Sequence, residues 1–112
     1  MGLDSIWKMP DGVNHPAFEP ALDLCGGLFS GSGRGSFRGK VYNEFIEHVS
    51  GISLYQEEMS NCDVVRIADA LSIYDPTDMD LENYDLTAEE VHDLYRMFTE
   101  YGDAGATLIG WW

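Results

Sequence analysis

The chain has 112 residues, enough for one domain and too few for two that would each bury an adequate core; 45% hydrophobic and 12% aromatic residues supply that core. Twenty Asp and Glu stand against six Lys and Arg, a net charge of −14, which argues against direct nucleic-acid binding because phosphate backbones are gripped by clustered bases. No apolar run reaches the roughly 18–20 residues of a membrane span, residues 1–10 lack the apolar stretch of a secretory signal, and Cys25 and Cys62 are too few for a disulfide framework; the expectation is a cytoplasmic protein with free thiols and no membrane contact.

Residues 3–7 are short and rich in strand formers, and Pro10, Asp11 and Gly12 signal a turn. Residues 13–20 hold Pro16 and Pro20, so they read as extended and irregular. Leu22 and Leu24 alternate around Asp23, a strand pattern over residues 21–25. A helix is predicted from about residues 37–40 to Val49 on the spacing of Val41, Tyr42, Phe45, Ile46 and Val49, with Ser50 and Gly51 closing it. Residues 52–57 alternate weakly and read as a short strand. Ser60, with Asp63 three residues on, caps a second helix whose apolar stripe is Val64, Ile67, Ala68 and Leu71. Residues 75–86 read as an acidic loop. Thr87 and Glu90 form a capping box for a third helix with Val91, Leu94, Tyr95, Phe98 and Tyr101 on its buried face and Gly102 as its stop. Residues 106–112 read as a strand apolar on both sides, hence covered on both faces. The expected fold is α+β: a single compact domain over residues 1–112, about three helices packed on a small sheet, with strand candidates at both termini that pair. Trp111 and Trp112 are either docked on the core or mark a homo-oligomer contact through the aromatic C-terminus.

Charge is distributed unevenly. Residues 1–56 hold six acids and four bases, net −2; residues 57–112 hold fourteen acids and only Arg66 and Arg96, net −12. Within residues 26–39 there are six glycines in fourteen residues, and Arg34, Arg38 and Lys40 are half of all the bases. Glycines let backbone amides approach a ligand, a helix start adds positive potential, and arginines grip oxyanions in a two-pronged fashion. Gly31, Gly33, Arg34, Gly35, Ser36, Arg38 and Lys40 are therefore the candidate site for an anionic small molecule, with Trp7, Phe37 or Trp111 available to stack on a base. The loop matches no nucleotide fingerprint. Walker A spacing puts Arg34 where a glycine belongs and Val41 after Lys40, and the dinucleotide pattern meets Ser36 or Arg38 at its third glycine. The plainer reading is a surface loop whose arginines offset the acidic half.

Residues 75–93 carry eight acids and no base. Such a cluster serves solubility or salt adaptation, or it imitates nucleic-acid phosphates, with Asp78, Asp80, Glu82 and Asp85 facing a nucleic-acid-binding host protein. Asp78, Asp80, Glu82 and Glu89 also fall on calcium-loop positions one, three, five and twelve, but Asn83 stands where that loop needs glycine. Glu44 with His48 and Glu89 with His92 share helix faces, yet a di-iron bundle needs two Glu-x-x-His motifs and only one is present. His15, His48 and His92 read as surface or boundary residues, and neither metal nor cofactor is expected. No nucleophile elbow or His-Glu-x-x-His occurs, and Cys25, at the rim of the loop where a nucleophile could stand, has apolar neighbours in Leu24 and Leu28 that suit a buried inert thiol better. The reading leans away from an enzyme and assigns no catalytic residue.

The opening Met1, Gly2, Leu3, Asp4, with Trp7 behind it, resembles the start of a group of short uncharacterised bacterial and phage proteins. That resemblance implies a phage or prophage setting and transfers no functional residue. The expected function is thus a small non-enzymatic binding protein that holds, and by holding sequesters, a phosphate- or nucleotide-like ligand on its Gly/Arg loop; the alternative is an acidic nucleic-acid mimic acting through residues 75–93.

Overall fold

A computed structural model describes residues 3–20, 22, 24, 35–75 and 78–112, with residues 78–80 as backbone only. The alternation Ser5, Ile6, Trp7 places Ser5 and Trp7 inward and makes β1 (Asp4–Lys8). It is followed by β2 (Ser36–Phe37), α1 (Gly39–Ser50), β3 (Glu58–Met59), α2 (Asn61–Ile73), α3 (Asp78–Tyr84), α4 (Ala88–Asp103) and β4 (Thr107–Trp111). All pairings in the sheet are antiparallel, in the order β2-β1-β4-β3. The first and last strands pair at its centre, Asp4 opposite Trp111, Ile6 opposite Ile109 and Lys8 opposite Thr107. The radius of gyration, 12.9 Å, is that of one compact domain of this size. The fold is α+β as expected, with four helices among the described residues, the short α3 being the addition. None is long and apolar enough to cross a membrane.

The helix signals act largely as the spacing predicts. In α1, Tyr42, Phe45 and Ile46 are buried, and Gly51 closes the helix at φ +74°, its N–H donating to Glu47 O at 2.8 Å. Such a left-handed cap favours glycine. In α2 the buried residues are Val64, Ile67, Ala68 and Leu71, and Ser60 Oγ accepts from the Asp63 N–H. The box at α4 is complete: Thr87 Oγ1 accepts from Glu90 N and Glu90 Oε1 from Thr87 N, each at 3.1 Å. Glu90 Oε2 also accepts from the Tyr42 hydroxyl at 2.7 Å, tying the start of α4 to α1. Leu86 and Val91, just before the cap and at the fourth helical position, are both buried, the arrangement of a hydrophobic staple.

Five expectations need correction. The acidic stretch 75–86 is not a loop throughout, because α3 occupies its middle: Leu81 and Tyr84, three apart, face the core, and Tyr84 packs on Phe45 and His48 at 5.6 and 5.8 Å. The strand expected at 52–57 begins at Glu58 instead. Asn43 Oδ1 accepts from Leu54 N at 2.7 Å and Gln56 N donates to Leu54 O at 2.9 Å, folding residues 52–57 into tight turns. Gly102 does not stop α4; it packs inside the helix, where a Cβ would press on Val65 Cγ2 at 3.2 Å. The stop is Gly105 (φ +82°), where Ala106 N donates to Tyr101 O and Gly105 N to Gly102 O, the paired bonds of a Schellman motif. The glycine-rich loop ends early, since Ser36 and Phe37 form β2. Finally, the two faces of β4 are covered unequally: Leu108 is buried on one, while on the other Thr107 and Ile109 are half-buried and Trp111 is 71% exposed. The strand expected at 21–25 lies mostly outside the described residues; Leu24 joins the core without being in a strand.

The Thr87 cap gives a direct stability test. Thr87→Ala should lower the unfolding free energy by about 0.5–2 kcal/mol, read as a shifted denaturant midpoint with unchanged slope; an unmoved midpoint would show that the box contributes nothing.

Candidate functional site

Gly31, Gly33 and Arg34 lie outside the described residues. The remaining members of the predicted anion site surround the junction of β2 and α1, where their backbone largely serves the fold. Gly35 is buried and its carbonyl accepts from Trp7 N at 2.8 Å; Lys40 N donates to Leu3 O and Val41 N to Arg38 O, both at 3.1 Å. The α1 amides expected to meet a ligand are thus partly spent on β1 and on the first helical turn. Ser36, opposite Ile6 on the outward side of β2, is half-buried, and Lys40 is exposed.

Arg38 is the member with side-chain chemistry to offer. Its Nε sits 3.1 Å from Asp4 Oδ1, and both side chains are about half exposed. A guanidinium presents five N–H donors, more than one carboxylate contact can use. Among the described residues no other side chain pairs with it. Asp4 therefore tethers a half-exposed guanidinium, a group whose donors match a carboxylate or phosphate. The exposed setting makes the pair itself a weak contributor to stability.

Of the three aromatics assigned to stacking, two are core residues. Phe37 and Trp7 are buried, Trp7 stacked on Tyr101 at 4.4 Å and 3°. They anchor the sheet to α4 and cannot meet a ligand. Trp111 is exposed and sits directly across from Asp4, on the sheet face that also carries Ser36.

The acidic candidates separate. Asp78 and Asp80 lie in α3; Glu82 ends up exposed on the same helix, and Asp85 follows it in the left-handed region at φ 55°, also exposed. A helix over residues 78–84 replaces the looped backbone a calcium site needs. Glu82, Asp85 and Glu89 make no ion pair among the described residues, and no group of three or more His, Cys, Asp and Glu there could hold a metal ion. Asp93 differs: it is buried, with Arg96 Nη1 2.9 Å from its Oδ1, while Arg96 Nη2 donates to Pro20 O and the guanidinium lies 5.7 Å from the Phe18 ring centre. This cluster, with His15 Nδ1 3.0 Å from the Tyr101 hydroxyl, fastens residues 15–20 across α4. It was not legible beforehand because its parts are 76 and 86 residues apart. His48 and His92 are exposed; Cys25 lies outside the described residues, and Cys62 is exposed.

No protein-family model, curated protein or solved structure matches this chain.

Two measurements probe this geometry. Burial pushes the Tyr101 phenol up to about 12. Its unfolded-state value is about 10, so the neutral phenol favours the folded state below pH 10, and that contribution disappears as pH rises from about 10 to 12. Ultraviolet titration should show a tyrosine that ionises well above pH 10, and Tyr101→Phe should remove its contribution. Second, a Cβ at Gly39 would overlap Ser5 Oγ, which is buried without a hydrogen-bond partner. Gly39→Ala should destabilise the protein, whereas Ser5→Ala should be neutral or stabilising, because it removes an unpaired buried hydroxyl. In a double-mutant cycle Ser5→Ala should relieve much of the Gly39→Ala loss; simple additivity would show that the two do not meet.

Proposed function

We propose that this protein is a small non-enzymatic binding protein that holds an anionic, phosphate- or nucleotide-like ligand at the rim formed by Ser36, Arg38 and Lys40, and sequesters it. The observation that carries this reading is the Arg38–Asp4 ion pair at 3.1 Å, which tethers a guanidinium that is about half exposed to the solvent. A tethered arginine loses less conformational freedom on gripping an oxyanion than a floppy one. Exposed Lys40, two residues on, adds a second positive charge. Trp111 is the one aromatic of the three candidates whose ring is accessible to a base.

Isothermal calorimetry against nucleotides, cyclic dinucleotides and sugar phosphates tests it. One charge-assisted bond contributes about 1.5–3 kcal/mol, so Arg38→Ala should weaken binding by roughly ten- to a hundredfold. Arg38→Lys should not restore it, because an ammonium lacks the fork. Absence of binding by the wild-type chain, or equal binding by Arg38→Ala, would leave the rim a mere connection between β2 and α1.

A second reading has its own observation: Glu82, Asp85 and Glu89 are exposed without an ion pair among the described residues. In that reading residues 75–93 imitate a run of phosphates toward a nucleic-acid-binding host protein. Association should then slow steeply with rising ionic strength, and amide substitutions at Asp78, Asp80, Glu82 and Asp85 should slow it most at low salt. Competition by duplex DNA or RNA for the same partner is the check.

A further inference from the structure

We propose that the sheet face opposite the described helices is the surface through which two copies of this chain associate. The inward residues of the sheet meet the helices: Trp7 lies against Phe98 and Tyr101 of α4, and Phe37 against Tyr42 of α1. The outward residues alternate with these. Ile6 and Ile109 form a half-buried cross-strand pair at the centre, and Trp111 projects beside them, 71% exposed. One exposed indole beside two half-buried isoleucines makes a contiguous apolar patch rather than an isolated side chain, and such patches mark association surfaces.

Charge selects the occupant. Two chains of net −14 repel wherever unbalanced acids meet. On this face the acids are balanced: Asp4 is paired with Arg38 at 3.1 Å, and Glu58 with Lys8 at 3.7 Å while also accepting from Thr107 Oγ1 at 3.0 Å. A second copy docked here therefore brings together the least like charge. Asp4 and Lys8 stand at opposite ends of β1. A twofold axis near the Ile6–Ile109 pair sets the Asp4–Arg38 end of one copy against the Lys8–Glu58 end of the other, so each neutral pair meets one of both signs, as an isologous contact requires. A basic partner is drawn instead to the unpaired acids around α3, and an acidic one gains nothing from a neutral face.

The size of the face sets the strength. Two five-residue central strands span about 17 Å and four strands about 19 Å across, a footprint of roughly 300 Å². That is below the roughly 800 Å² per partner of a standard stable interface, so the dimer is weak and concentration-dependent.

Sedimentation velocity of the full chain, from micromolar to millimolar concentration at low and high salt, tests this. The dimer fraction should rise with concentration and also with salt, because screening weakens repulsion between the acidic chains and leaves the apolar contact intact. Trp111→Ser, at an exposed position that folding does not need, should weaken dimerisation about tenfold or more, a loss of at least about 1.4 kcal/mol. Ile109→Glu should abolish it, and Ile73→Ser, at the exposed end of α2, should leave it unchanged. A wild-type chain that stays monomeric to millimolar concentration overturns the proposal. So does a dimer indifferent to both Trp111→Ser and Ile109→Glu, or one that weakens as salt rises.

Discussion

The parallel stack of Trp7 on Tyr101, 4.4 Å between ring centres, is the contact on which the rest of the structure depends. Trp7 belongs to the strand at the middle of the sheet and Tyr101 to the end of the longest helix. Phe98 meets the same indole edge-on at 5.2 Å, and Phe37 brings in the edge strand β2 at 6.2 Å. His15 and Phe18 also pack on Tyr101, at 5.7 and 6.1 Å. One aromatic cluster thus joins the start, middle and end of the chain. Aromatic pairs contribute about 0.5–1.5 kcal/mol each beyond their area burial, so several rings sharing neighbours form a rigid centre. The Schellman turn at Gly105 depends on the same residue, since Tyr101 O accepts from Ala106 N. The turn that delivers β4 to β1 is therefore fixed by the residue that β1 stacks against.

What the sequence reveals and what it hides divide along range. The stripe of α2, the box at Thr87 and the glycine cap at Gly51 are set by residues within one or two helical turns, and all three are legible. α3 is hidden because seven residues crowded with acids have little helical drive of their own; its hold is the packing of Tyr84 on Phe45, across 39 residues of chain. Leu81 and Tyr84, three apart, were the available signal. Gly102 misleads because a glycine late in a helical pattern reads as a stop, whereas here it lets α2 approach α4. In the site, Arg38 was legible as a base in a glycine-rich run, but its pairing was not, because Asp4 lies 34 residues away. Trp7 and Phe37, which composition offers as stacking platforms, are claimed by the core before a ligand could use them.

The fold also sorts charge in a way that net −14 conceals. On the outward sheet face the acids have partners, and at the α3 corner Glu82, Asp85 and Glu89 have none among the described residues. The sorting follows from register: antiparallel pairing puts Thr107 opposite Lys8, and places Glu58, on the next strand, within reach of both. One-sidedness in sequence becomes two surfaces of different character in space.

That separation bears on how an acidic protein could hold an anion at all. Arg38 stands at the start of α1, while the acidic corner packs, through Tyr84, on Phe45 and His48 in the second half of the same helix. At a rise of 1.5 Å per residue the two are about 10 Å or more apart along the axis, beyond the roughly 8 Å over which exposed charges act at physiological salt. An oxyanion held at the rim as proposed would respond to Arg38, Lys40, Asp4 and the exposed Glu44 one turn along α1, and only faintly to the acids of the α3 corner. At low salt the screening length grows and the acidic field reaches the rim, opposing the ligand just as the direct attraction of Arg38 strengthens. The two trends offset, so binding at this rim should depend on ionic strength far less than a purely basic phosphate site does, and that shallow dependence distinguishes it from the acidic corner acting on a basic partner.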